Sequence, residues 1–179
     1  MSNVKILKKH SYCIVTGLVV IIILVVGGYY YSKNKESSAV ALDDSKAHMP
    51  YITNIVSETE QNTDYRKVLF TGTRSQLVIM DIPPGGEVGA ETHTYTEQTL
   101  FFLSGTGEAV LDGKITPIVA GDVVVVTPGT LHNFINTGSD DLKIYTVYAP
   151  PNHLDGTVEA TKADADANTA DEAYGNVPK

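Results

Sequence analysis

The chain has 179 residues, a formal net charge of −8 and one cysteine, Cys13. That length holds one domain with extensions. The acidic balance argues against a nucleic-acid partner. A lone cysteine excludes an intrachain disulfide, a thiolate metal cluster and, beyond the N-terminal segment, a cysteine nucleophile.

Residues 1–11 form a short tail carrying Lys5, Lys8 and Lys9, and from Ser11 to Ser32 no residue is charged. A helix needs about 20 such apolar residues to cross a bilayer core. Tyr12 on one side and Tyr29, Tyr30 and Tyr31 on the other flank the run, where amphipathic rings sit at the headgroup level. The pattern predicts a transmembrane signal-anchor helix over residues 12–31. Its rival is a cleaved signal peptide: "AVA" at Ala39–Ala41 has the small-x-small form but lies well past the apolar run. The lysine bias points to N-in, C-out. The expectation is a single-pass protein of the cell membrane, with the lipid bilayer as a partner and an extracytoplasmic globular part.

Residues 32–50 are polar, lack periodicity and read as a linker. From Tyr51 the character changes to short β-rich runs separated by turn signals. "QLVIMDI" precedes "PPGG", "TLFFL" precedes "SGTG", and "EAVL" precedes "DGK", where Asp-Gly tolerates positive φ. "TPIV", "VVVVT", "HNFIN" and "LKIYTVY" follow, and no amphipathic helix stands out. This spacing predicts an all-β domain over 51–158, an antiparallel sandwich or barrel. "VVVV" and "LFFL" are apolar on both faces, so the outer face calls for a cover, either a second sheet or the partner in a homodimer. Residues 159–179, rich in Ala and Asp, predict an acidic, mobile tail, with a short helix as the alternative.

One stretch, "GGEVGAETHTYTEQTLFFL", places polar side chains against an apolar core. Alternation along a strand puts Glu91 and His93 on one face. After a turn over Thr94–Glu97, Gln98 opens the returning strand, and His132 reaches the same spot from another hairpin. Two imidazoles, a carboxylate and an amide oxygen supply the donors a divalent ion needs. Imidazole ligands must be deprotonated, so binding should weaken below a pH of about 6.5. Singly, each residue has a plainer reading. His93 could be a surface residue, Gln98 a satisfied amide with Glu97 the acid, and His132 a partner of a turn carbonyl.

Gly85, Glu91-Thr92-His93, Gln98 and Gly105 fall on the spacing of the first cupin motif. Gly121, Thr127-Pro128-Gly129, His132 and Asn136 fall on that of the second. Over about Tyr51–Val158 the chain resembles a single-domain, second-type cupin, similar to the small mannose-6-phosphate isomerase-like members, including the ending "YAPPNHLDGTV". The resemblance implies a double-sheet cupin or jelly-roll β-barrel and a metal held by Glu91, His93, Gln98 and His132. Manganese, iron, zinc, nickel and copper all tolerate these donors. Three positions depart from the family pattern. Glu91 stands for the usual first His, Gln98 for the usual Glu, and Thr127 for the usual Pro. The count of one carboxylate is kept.

Other chemistries lack support. "GTGEAV" has no third glycine and reads as a hairpin, and no Gly-x-Ser-x-Gly occurs. Arg66, Lys67, Arg74, Lys114 and Lys143 read as scattered solvated cations. His153 reads as a structural or rim residue, and Asn136 as a turn-fixing one. Two functional expectations stand. One is a membrane-anchored metalloenzyme of isomerase, dioxygenase or decarboxylase type acting on a small oxygen-rich molecule. The other is a module that binds a sugar or other small ligand without catalysis.

Overall fold

The computed structural model describes residues 50–179. The expected N-terminal tail, the transmembrane helix over 12–31 and almost all of the linker lie outside the described residues. Among the described residues, no helix is long and apolar enough to cross a membrane.

Among the described residues, ten strands form two antiparallel sheets. β1 (Arg66–Thr71), β2 (Gln76–Ile82), β4 (Glu97–Ser104), β7 (Val123–Val126), β9 (Leu142–Ala149) and β10 (Val158–Glu159) build one, in the order β10-β1-β2-β9-β4-β7. β3 (Glu91–Thr92), β5 (Thr106–Leu111), β6 (Lys114–Val119) and β8 (Leu131–Asn136) build the other, in the order β3-β8-β5-β6. The predicted double-sheet β fold is therefore present.

Alternation decides which side chains meet between the sheets. In β2, Val78, Met80 and Ile82 point inward; in β4, Leu100 and Phe102 do so; in β8, Phe134 does. Phe102 and Phe134 meet across the two sheets at 5.6 Å between ring centroids. Each such buried side chain stabilises the fold by roughly 1.5–3 kcal/mol relative to exposure. The second sheet thus covers the inner faces of "LFFL" and "VVVV". The outer valines, Val123 and Val125, are exposed.

The Asp-Gly turn forms as expected. Asp112 and Gly113 both have positive φ, and Leu111 pairs with Lys114. "GTGEAV" differs from its hairpin reading, because β4 and β5 belong to different sheets. Gly105, at φ +85°, is the corner where the chain crosses between them, and a Cβ there would lie 2.6 Å from the carbonyl oxygen of Asp141.

Two further departures concern helices. α1 (Ile55–Gln61) forms where no helix was expected; Asn54 caps it through Oδ1, and it packs against β9, β2 and β4. With only two turns, it offers little periodicity to detect. The C-terminal segment, expected as a mobile tail with a short helix as the alternative, contains α2 (Lys162–Ala167) and α3 (Thr169–Gly175). Thr161 and Asp164 form a capping box on α2, and Asp171 and Tyr174 are buried.

Candidate metal centre

β3 is only two residues long, and its neighbours hold it in place. Asn133 Oδ1 accepts from the Gly89 amide at 2.8 Å, and the Gly129 amide donates to the His93 carbonyl at 2.9 Å. The Thr127-Pro128-Gly129 turn therefore fixes the backbone at His93. β3 pairs with β8 in a register that sets Glu91 opposite His132. Gln98 comes from the other sheet, where it pairs with Val126 and Tyr148.

Three of the four expected donors come together. One donor atom each from Glu91, His93 and His132 lies within 4.8 Å of the others. Glu91 Oε1 is 3.4 Å from His93 Nε2 and 3.5 Å from His132 Nε2. His93 and His132 are buried, with ring centroids 5.0 Å apart, while Glu91 is half-buried.

Hydrogen bonding leaves several buried lone pairs bare. His132 Nδ1–H donates to the Thr130 carbonyl at 2.9 Å, which makes Nε2 the unprotonated nitrogen. Gln98 Nε2 donates to the Tyr148 hydroxyl at 2.8 Å, which turns Oε1 away from that bond. His93 Nε2, His132 Nε2 and Gln98 Oε1 are all buried without a hydrogen-bond partner. An unsatisfied buried polar atom costs about 1–3 kcal/mol. Several beside one carboxylate are the donor set of a cation site, so these residues fit a divalent metal. The plainer reading of His132, a bond to a turn carbonyl, is also true, but it uses only Nδ1.

Burial would raise the Glu91 carboxyl, yet the imidazoles of His132 and His93 outweigh it and hold the group well below the usual carboxylate range. For His132, burial lowers and Glu91 with the Thr130 carbonyl raises; the net shift is upward. Glu97, the alternative acid, is exposed, whereas Gln98 faces inward. Asn136 fixes its turn: Nδ2 donates to the Ile82 and Asp140 carbonyls, and Oδ1 accepts from Gly138.

Tyr148, Arg66 and Lys143 were missed, whereas His153 has the structural contacts expected of it. Tyr148 ends the inward series Leu142, Ile144, Thr146 of β9, a parity visible in the sequence, and its ring meets His93 edge-on at 5.7 Å. Arg66 is not a freely solvated cation; it is half-buried and ion-paired to Glu159 at 2.7 Å and Asp171 at 3.4 Å. His153 is buried, and its Nδ1 lies 2.6 Å from Asp171 Oδ2. Lys143 likewise pairs with Asp81, at 2.8 Å. A cleft of about 480 Å³ opens beside the cluster, with Tyr65, Arg66, Glu91, His93, His153 and Asp171 in its wall.

Two packed antiparallel sheets carrying a Glu/His/His cluster that could hold a metal define a small double-sheet β fold. Residues 78–148 match the family model described as "Cupin domain", and the chain belongs to the cupin family. It is 41% identical over 123 residues to the uncharacterised protein YrkC of Bacillus subtilis, a match spanning 65% of this chain and 66% of that protein. It is 38% identical over 68 residues to a protein of Thermotoga maritima named as oxalate-binding, covering 38% of this chain and 56% of that protein. Among solved structures, the BH2720 protein of Bacillus halodurans is 35% identical with a TM-score of 0.66, over 67% of this chain and 96% of that one.

Proposed function

We propose that this cupin holds one divalent metal ion through Glu91, His93, His132 and Gln98 Oε1, and binds or transforms a small oxygen-rich molecule beside it. The observation that carries the reading is the convergence of two buried, unpartnered imidazole nitrogens, His93 Nε2 and His132 Nε2, on the Glu91 carboxylate. Once bound, the ion would supply Lewis-acid polarisation of a ligand oxygen. Glu91 contributes the negative charge and the two imidazoles neutral donors. Tyr148 orients the Gln98 amide, and the apolar side chains behind the cluster, Phe134 among them, keep water out. Isomerase, dioxygenase and decarboxylase chemistries all fit such a donor set, with manganese, iron, zinc, nickel or copper as the ion.

A second reading, binding without turnover, is favoured by the similarity to the oxalate-binding protein of Thermotoga maritima. It would make a small dicarboxylate the ligand. We further propose that residues 12–31 tether the domain to the outer side of the cell membrane; their uncharged, tyrosine-flanked composition supports this.

The test is metal analysis of the purified chain after expression with the candidate metals supplied. About one equivalent is expected in the unaltered protein and little in His93→Ala or His132→Ala. Full metal content in both variants would overturn the site. Calorimetry with oxalate then separates the readings, since heat of binding without product marks a binding module.

A further inference from the structure

We propose that His153 is a second ligand-contacting residue of the cleft. Its Nε2 accepts a hydrogen bond from a hydroxyl of a small hydroxy acid whose carboxylate oxygens face the Glu91–His93–His132 cluster. This rests on reading that cluster as the site for a small oxygen-rich ligand.

His153 is held from three directions. Gln76 Oε1 accepts from its backbone amide at 2.9 Å, and Gln76 Nε2 donates to its carbonyl at 2.7 Å. Its Nδ1–H donates to Asp171 Oδ2 at 2.6 Å, while the Leu154 amide donates to Asp171 Oδ1 at 2.6 Å. Its ring stands edge-on to Tyr148, with centroids 4.9 Å apart, and Tyr148 in turn touches His93.

A purely structural role, tying α3 to the barrel, uses Nδ1 alone. Nε2 is buried without a partner, and His153 lines the same cleft as Glu91 and His93. With the proton on Nδ1, Nε2 is an acceptor. The neighbouring Asn152 Oδ1 is a second buried, unpartnered acceptor in that wall. Two acceptors call for a ligand bearing O–H donors, and the charge of the metal cluster calls for acidic oxygens. A hydroxy acid carries both.

The experiment uses the full chain loaded with zinc and two probes that differ by one hydroxyl, malonate and 2-hydroxymalonate. The unaltered protein should bind hydroxymalonate more tightly by roughly fivefold to tenfold, as one neutral hydrogen bond allows. His153→Asn keeps an N–H near the Nδ1 position but lacks Nε2. It should lose that preference while keeping its metal and its malonate affinity. On the unaltered protein, the imidazole ¹⁵N resonance of His153 Nε2 should move on adding hydroxymalonate and stay still with malonate. A preference that survives in His153→Asn, an unmoved resonance, or no binding of either probe overturns the proposal. Metal content is read separately. Loss of metal with the Nε2 response intact sinks the metal reading and keeps this one.

Discussion

Glu91 and His132 are direct partners in the β3–β8 ladder, and Oε1 of the first lies 3.5 Å from Nε2 of the second. Cross-strand pairing, not a turn, therefore sets the distance between the acid and the buried imidazole. The Thr130 carbonyl fixes the tautomer from behind by accepting the Nδ1 proton. A substitution at position 91 that keeps shape but not charge tests what the pair is for. Glu91→Gln should fold normally and lose metal affinity by at least tenfold, because the only carboxylate among the donors is gone. Titration of the metal-free protein with zinc measures this, and unchanged affinity would remove Glu91 from the donor set.

Gln98 falls where the first cupin motif that this stretch resembles has a Glu, and its amide is oriented by Tyr148. Gln98→Leu should weaken metal binding by about tenfold to a hundredfold. Gln98→Glu should strengthen it, since a carboxylate is the stronger donor and the Tyr148 hydroxyl can donate to it. Equal affinities across all three proteins would mean that Oε1 serves the fold only.

The core of this architecture was legible because strand alternation is local. "QLVIMDI" is β2 residue for residue, and Asp-Gly closes the β5–β6 hairpin. The Glu91–His93–His132 cluster was legible because two motifs lie on fixed spacings. What escaped was long-range. Arg66 reads as a solvated cation until Glu159 and Asp171 arrive from the far end of the chain. The C-terminal segment reads as a solvated tail, because its Ala- and Asp-rich composition hides the one carboxylate that receives His153. Gly105 looks like a hairpin glycine locally, and only the sheet order shows a corner.

That corner carries a stability prediction. At φ +85°, with the Asp141 carbonyl where a Cβ would go, Gly105→Ala is strained in backbone and sterics alike. It should cost about 1–3 kcal/mol or more in chemical denaturation. Gly113→Ala, also at positive φ but with open space around it, should cost less. Equal losses would mean that the close approach at Asp141 relaxes freely.

Protonation gives a separate handle on the C-terminal attachment. Burial lowers the His153 imidazole below its ordinary value of 6.5, against the opposing pull of Asp171. The Asp171 carboxyl, which burial alone would raise, is brought below its ordinary 3.8 by His153, Leu154 and Arg66. As pH falls below 6.5, the unfolded chain takes up a proton that folded His153 refuses, so stability declines. The Asp171 contribution persists down to its ordinary value and is lost below it. His153→Asn should therefore flatten the fall in urea midpoint between about pH 7 and pH 5 relative to the unaltered chain. An identical slope in both would show that His153 does not stay neutral in the fold.

Arg66 joins β1 to both β10 and α3, since Nε and an Nη reach Glu159 on one side and the other contact is Asp171. All three side chains are shielded from water, so the cost of removing one differs from the worth of the group. Arg66→Met leaves two buried carboxylates without their cation and should destabilise by roughly 3–5 kcal/mol. Adding Glu159→Leu to that variant should recover part of the loss, because one uncompensated charge then disappears. Thermal unfolding of the two variants decides the matter. A double variant no more stable than Arg66→Met would mean that Glu159 is held by Asn168, whose Nδ2 donates to it at 2.9 Å, strongly enough to need no cation.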